Sequence, residues 1–228
     1  LVLMPNHLHW SATDFEAKLP KFIQRCYRDI SCAVQTLLRE RGFDVPGQLF
    51  DDRPGHQMRL LDAGAQLAQL LYEFLNPLRA GLVDTRDDYP FARVDWSGWK
   101  KDAPALIIKR PEFYFSKRTR PKELPLFLTP PPELYRLFDG DISAMKYHLK
   151  KLADERTDAL REAREARGER TVMGAEALKE LHPWDEPRNP REAGGQRVPT
   201  FRIGAMGITE ALVGDGYDDP DALARLRA

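Results

Sequence analysis

Residues 1–10 read Leu-Val-Leu-Met-Pro-Asn-His-Leu-His-Trp, and the fold turns on how this stretch is taken. The apolar run Leu1–Met4, followed by Leu8 between two histidines, reads as a buried sheet strand ending in polar alternation. Successive side chains on a strand point to opposite faces, so His7 and His9 share one face while Leu8 enters the core. Two imidazoles so placed can ligate one metal ion, although a pair of surface or hydrogen-bonded histidines gives the same pattern. A sheet strand at residue one, with Leu first and no partner before it, reads as a chain entered part-way through a domain.

Outward from this strand, Ser11–Asp14 have turn and cap chemistry. A long amphipathic helix is expected from Pro20 to Arg41. Phe22, Ile23, Cys26, Tyr27, Ile30, Val34, Leu37 and Leu38 recur at three and four, as in a helix packed on a sheet. Residues 43–61 suggest a loose hairpin. A second helix is expected from Ala63 to Leu75, interrupted at Asn76-Pro77 because the residue before proline is pushed out of helical geometry. Residues 100–132 hold eight Lys or Arg against three acids and are rich in proline, the composition of a linker or arm. A helix from Asp141 to Arg167 and a short one within Thr171–Leu181 follow. Beyond His182 Pro, Gly and charge dominate, which predicts poor order with a short strand at Thr200–Ile203.

The chain has 228 residues, 42% apolar and 31% charged, enough for a sizeable core. Its formal net charge is zero, so any case for nucleic-acid binding rests on local patches. Cys26 and Cys32 lie six apart on one expected helix, off a shared face, and read as reduced thiols of a cytoplasmic protein. No stretch approaches a membrane span.

Tyr72 and Asn76 form a second constellation. At i and i+4 on a helix they lie one above the other. Packed beside the histidine strand, they place a hydroxyl and an amide oxygen at one spot. A core tyrosine and a helix-ending asparagine are the plainer alternatives.

The stretch Met4-Pro5-Asn6-His7-Leu8-His9 resembles the HUH motif of single-tyrosine insertion-sequence transposases, in the REP-associated tyrosine transposase branch. Tyr72-Glu73-Phe74-Leu75-Asn76-Pro77-Leu78-Arg79-Ala80-Gly81-Leu82-Val83 resembles that family's helix YIHLNPVRAGLV, and Asp88-Tyr89-Pro90-Phe91 is similar to its DYPW. The three matches keep the family's order and together cover residues 1–99. The chain departs from the pattern in lacking the strand–helix–strand section ahead of the HUH strand, in Phe74 for the family's histidine, and in Phe50 for a tryptophan.

The resemblance implies an α+β fold, a ferredoxin-like antiparallel sheet with packed helices that is incomplete at its amino terminus. A mostly helical carboxy-terminal extension would follow. It implies His7, His9 and Asn76 as metal ligands for Mg2+ or Mn2+ and Tyr72 as nucleophile. It implies cleavage and rejoining of single-stranded or hairpin-flanked DNA through a 5′-phosphotyrosine, by a homodimer. The expected divisions are 1–99 (catalytic), 100–132 (basic arm), 133–183 (helical) and 184–228 (tail). Lys117, Arg118, Arg120 and Lys122, interleaved with Phe113–Phe115, are candidate nucleic-acid contacts, and Arg79 joins them; a solvated arm accounts for the interleaved run equally well. The 141–181 helices could read duplex DNA as a helix-turn-helix, or form a solvated or paired helix. A truncated or domesticated DNA-binding relative that does not cut is the alternative reading, and a metal protein unrelated to nucleic acid is a third.

Overall fold

The computed structural model describes residues 1–45, 47–50, 57–109, 121–169, 171–181, 200–202 and 209–213. Strand β1 (Val2–Leu3) turns back on β2 (Leu8–His9) as an antiparallel pair, with Val2 opposite His9 and Leu3 opposite Leu8. Residues 1–10 are therefore not one strand. Pro5 has its φ preset for a turn and Asn6 favours turn conformations, and Met4 N–H donates to His7 O at 2.8 Å to close the reversal. On its other edge β1 meets residues 92–94: Leu3 N–H donates to Ala92 O (3.0 Å) and Val94 N–H to Leu1 O (2.9 Å). Val2 and Met4 are buried while Leu1 and Leu3 are exposed, so the opening apolar run alternates between core and solvent.

Helix α1 (Leu19–Glu40) has the predicted length and stop, but no residue in it is buried. The expected packing of its stripe on a sheet is not found among the described residues. Strands of two residues are too short to cover such a face. The helix touches its surroundings through aromatic pairs, Trp10 with Phe22 at 5.4 Å and Tyr27 stacked on Phe50 at 4.5 Å between ring centroids. Strand β3 (Gln57–Leu60) follows and pairs with a strand from far along the chain; the hairpin expected over 43–61 falls partly on residues 46 and 51–56, outside the described residues.

Helix α2 (Ala63–Arg79) is the centre of the molecule. Asp62 caps it by accepting from Ala65 N–H at 2.7 Å. It runs through Asn76-Pro77, contrary to the expected interruption. Proline removes a single ladder bond there, close to the carboxy-terminal end. The real stop is Gly81, whose φ of +65° is open to a residue without Cβ. Leu82 N–H donates to Pro77 O and Gly81 N–H to Leu78 O, both at 3.0 Å, the paired bonds of a Schellman motif.

The remainder comprises β4 (Leu106–Lys109) paired antiparallel with β5 (Glu123–Leu126), α3 (Pro132–Leu137), α4 (Ile142–Ala166), α5 (Ala175–Lys179), β6 (Thr200–Arg202) and β7 (Thr209–Val213). In the third sheet β7 lies between β3, to which it is parallel, and antiparallel β6. The whole is α+β. Within the stretch that composition marks as a basic arm, β4 and β5 form this antiparallel pair, and residues 110–120 lie outside the described residues. Among those described, no helix is long and apolar enough to cross a membrane.

Two clusters of buried side chains meet at α2. Leu75 and Leu78 pack with Val2, Met4, Val83, Tyr89 and Leu178, while Leu71 packs with Trp96, Trp99, Leu134, Met145, Leu149 and Ala153. The helices beyond residue 132 thus share a core with the strand pair. Gln66, itself buried, accepts through its side-chain oxygen from Glu133 N–H and Leu134 N–H, both at 3.0 Å, and so caps α3 from α2.

Candidate active site

The tight turn after β1 brings the two imidazoles together. His7 Nε2 and His9 Nε2 are 2.9 Å apart and the rings meet edge to face. They share a side as alternate residues flanking Leu8, as expected, and the chain reversal between Met4 and His7 precedes both. His7 Nδ1–H donates to Asn6 Oδ1 at 2.5 Å. A proton on Nδ1 leaves His7 Nε2 as the acceptor in its contact with His9 Nε2.

Helix α2 presents Tyr72 to this pair. Its ring stands edge-on to His9 at 5.4 Å between centroids, and its side is 36% exposed. Arg79, two turns on, sets its guanidinium carbon 5.2 Å from the centre of the Tyr72 ring. Asn76 is one turn after Tyr72 and 7% exposed. The His9 imidazole is held below its ordinary pKa, chiefly by burial, with the charge of Glu73 opposing and the terminal amino group adding to the fall. It is therefore neutral at neutral pH.

These residues fit a divalent ion in two respects. Two nitrogens each about 2.1 Å from one ion, at a right angle, stand about 3.0 Å apart, close to the 2.9 Å observed between the histidines. The amide oxygen of Asn76 suits Mg2+ or Mn2+. Among the described residues no group of three or more His, Cys, Asp or Glu forms a metal cluster.

Behind the site, residues that the sequence reading passed over hold the tyrosine turn. Glu73, 4% exposed, accepts from Ser11 Oγ–H at 2.5 Å and from Gln69 Nε2–H at 3.1 Å. Arg86 donates from Nη1 to Phe74 O (2.7 Å), pairs with Asp95 (3.3 Å) and lies 4.1 Å from the Phe74 ring centre. Phe74 in turn stacks on Trp96 at 4.3 Å, which accounts for an aromatic where the resembled family carries histidine. A cavity of about 20 Å³ between Glu73, Phe74, Arg86, Asp95 and Trp96 has room for one water and none for a nucleotide. His7, Tyr72 and Arg79 are all exposed. Of the basic residues expected to touch nucleic acid, Lys122 is exposed beside β5, while Lys117, Arg118 and Arg120 lie outside the described residues. His148 packs against Phe138 at 5.5 Å, in keeping with a structural role.

Set against known proteins, this chain matches no family model, no curated protein and no solved structure.

Proposed function

We propose that the chain carries the catalytic core of a tyrosine transesterase of the HUH transposase type, which cuts and rejoins single-stranded or hairpin-flanked DNA. The observation that carries the proposal is the facing pair of His7 and His9 nitrogens with Tyr72 set against His9. On this reading β1 and β2 belong to a ferredoxin-like antiparallel sheet, the working form is a homodimer, and the setting is cytoplasmic.

The chemistry follows from the side chains. Tyr72 Oη bonds to phosphorus as the P–O3′ bond breaks, leaving a 5′-phosphotyrosine and a 3′-oxygen that takes up a proton. The ester retains the bond energy, so attack by another strand's 3′-hydroxyl rejoins DNA without ATP. Arg79, beside the Tyr72 ring, is placed to bind the phosphate. His7, His9 and Asn76 would hold Mg2+ or Mn2+, which when bound neutralises charge on a non-bridging oxygen. Asn6 orients His7, and the packing of α2 fixes Tyr72, so attacking atom and phosphate are held in reach.

The test is incubation with labelled hairpin-flanked single-stranded DNA and Mn2+, resolved on a denaturing gel. Wild type should give a covalent protein–DNA adduct and Tyr72→Phe none. An adduct that survives in Tyr72→Phe would overturn the assignment of the nucleophile. DNA retention without any adduct would favour the relative that binds and does not cut.

A further inference from the structure

Glu73 is a buried carboxylate immediately after Tyr72. Burial of a carboxylate carries a large desolvation cost unless donors and cations surround it. Its Oε1 accepts from Ser11 Oγ–H and Gln69 Nε2–H, and the Leu1 nitrogen lies 3.4 Å from Oε2. Gln69 is on the same helix, one turn earlier, so of the two side-chain donors only Ser11 reaches across from another element. Ser11 follows His9 by two residues. One carboxylate therefore ties the chain leaving the histidine pair to the helical turn that presents the tyrosine. Arg86 holds the next residue through Phe74 O. An apolar side chain could fill the same space, but its contacts are non-directional. A short O–H···O⁻ bond is strong and fixes both partners.

We propose that Glu73 is a positioning residue, which through its hydrogen bond with Ser11 sets the separation and alignment of His9 and Tyr72. The proposal rests on the strand-transfer reading for its purpose, though the geometry can be tested apart from activity.

The experiment uses the full chain with Ser11→Ala, Glu73→Ala and Glu73→Gln. Two probes are read beside thermal unfolding: Mn2+ binding by electron paramagnetic resonance, and the NMR shifts of the Tyr72 ring protons, which feel the neighbouring His9 ring. Folded Ser11→Ala and Glu73→Ala should move the Tyr72 ring shifts and weaken Mn2+ binding about tenfold, the scale of losing an outer positioning partner. Glu73→Gln keeps the acceptor oxygen and should stay close to wild type in both. Should Glu73→Ala fail to fold, Ser11→Ala still removes the bond at little cost in volume. Unmoved Tyr72 shifts in folded Ser11→Ala would overturn the proposal, as would a Glu73→Gln variant displaced as far as Glu73→Ala. A wild type that binds no Mn2+ would count against the metal-dependent function alone, because the ring shifts still decide whether the clasp exists.

Discussion

Tyr72 meets two groups of different character, an imidazole edge and a guanidinium. The second is the more informative for substrate. Arg79 is exposed and makes no ion pair with a described residue, so its charge is available to a phosphate. Arg79→Ala should weaken single-stranded DNA binding across sequences alike and lower the slope of log affinity against log salt by about one. Fluorescence anisotropy at three salt concentrations would read both effects. A sequence-selective loss with an unchanged slope would place Arg79 on a base instead. Asn76 makes a different prediction, because it is buried one helical turn after Tyr72. Asn76→Ala should leave folding close to intact while lowering Mn2+ affinity by more than the loss of Arg79 does. Equal Mn2+ affinity in wild type and Asn76→Ala would remove it from the ligand set.

At the scale of elements, helix ends were legible where the stop or cap is written locally. Gly42 and Asp141 mark the observed limits of α1 and α4 because each acts on backbone groups within a few residues. Pro77 misled because proline's local penalty is small when only the last turn follows it. The Gly81 signal three residues after Leu78 was the stronger one. Replacing Gly81 by Ala should lower stability by ~1–2 kcal/mol, the cost of a Cβ in left-handed backbone, with urea unfolding as the measurement and the Tyr72 adduct retained. The Pro5-Asn6 reversal was hidden for another reason. His-Leu-His and a buried apolar run satisfy a period of two whether the chain is straight or folded back, and only the turn residues distinguish them. The partners of β3, and of β4 with β5, lie too far apart in sequence for local pattern to join them. Of the candidate site, His7, His9, Tyr72 and Asn76 could be named from spacing and resemblance. Ser11, Glu73 and Arg86 could not, since their meaning depends on which segments pack together.

The whole molecule is organised around one helix with buried clusters on both its flanks, and this joins regions that composition separates. Leu149, on α4, is 1% exposed against the cluster containing Leu71 and Trp96. Leu149→Ala should therefore destabilise by ~2–5 kcal/mol and reduce adduct formation, although it is far along the chain from Tyr72. Arg164 strengthens the same union by pairing with Asp84 at 2.7 Å, just beyond the end of α2. The response to pH should reflect buried groups spread over this shared structure. For Asp95, burial acts to raise the pKa, but hydrogen bonds from Ser97 and the charge of Arg86 outweigh it and hold the carboxyl below its usual range. Its contribution to stability is present above the unfolded value of about 3.9 and is lost as pH falls through the lower folded value. His9, lowered chiefly by burial, resists protonation in the fold, so stability also declines as pH falls below about 6.5. Tyr89 works at the other end. Its hydroxyl donates to Leu3 O at 2.6 Å, and burial, opposed by Arg86, pushes its pKa up to about 12. That contribution is complete below about pH 10 and disappears as pH rises through the folded value. Urea unfolding across pH should give a plateau at neutral to mildly alkaline pH, with separate acid and alkaline declines. Asp95→Asn should flatten the acid decline below pH 4 and leave the alkaline limb alone. Tyr89→Phe should remove the alkaline decline and, through loss of the bond to Leu3 O, lower the plateau by ~1 kcal/mol. An alkaline limb that persists unchanged in Tyr89→Phe would mean that lysine or arginine deprotonation, rather than the tyrosine under β1, limits the fold at high pH.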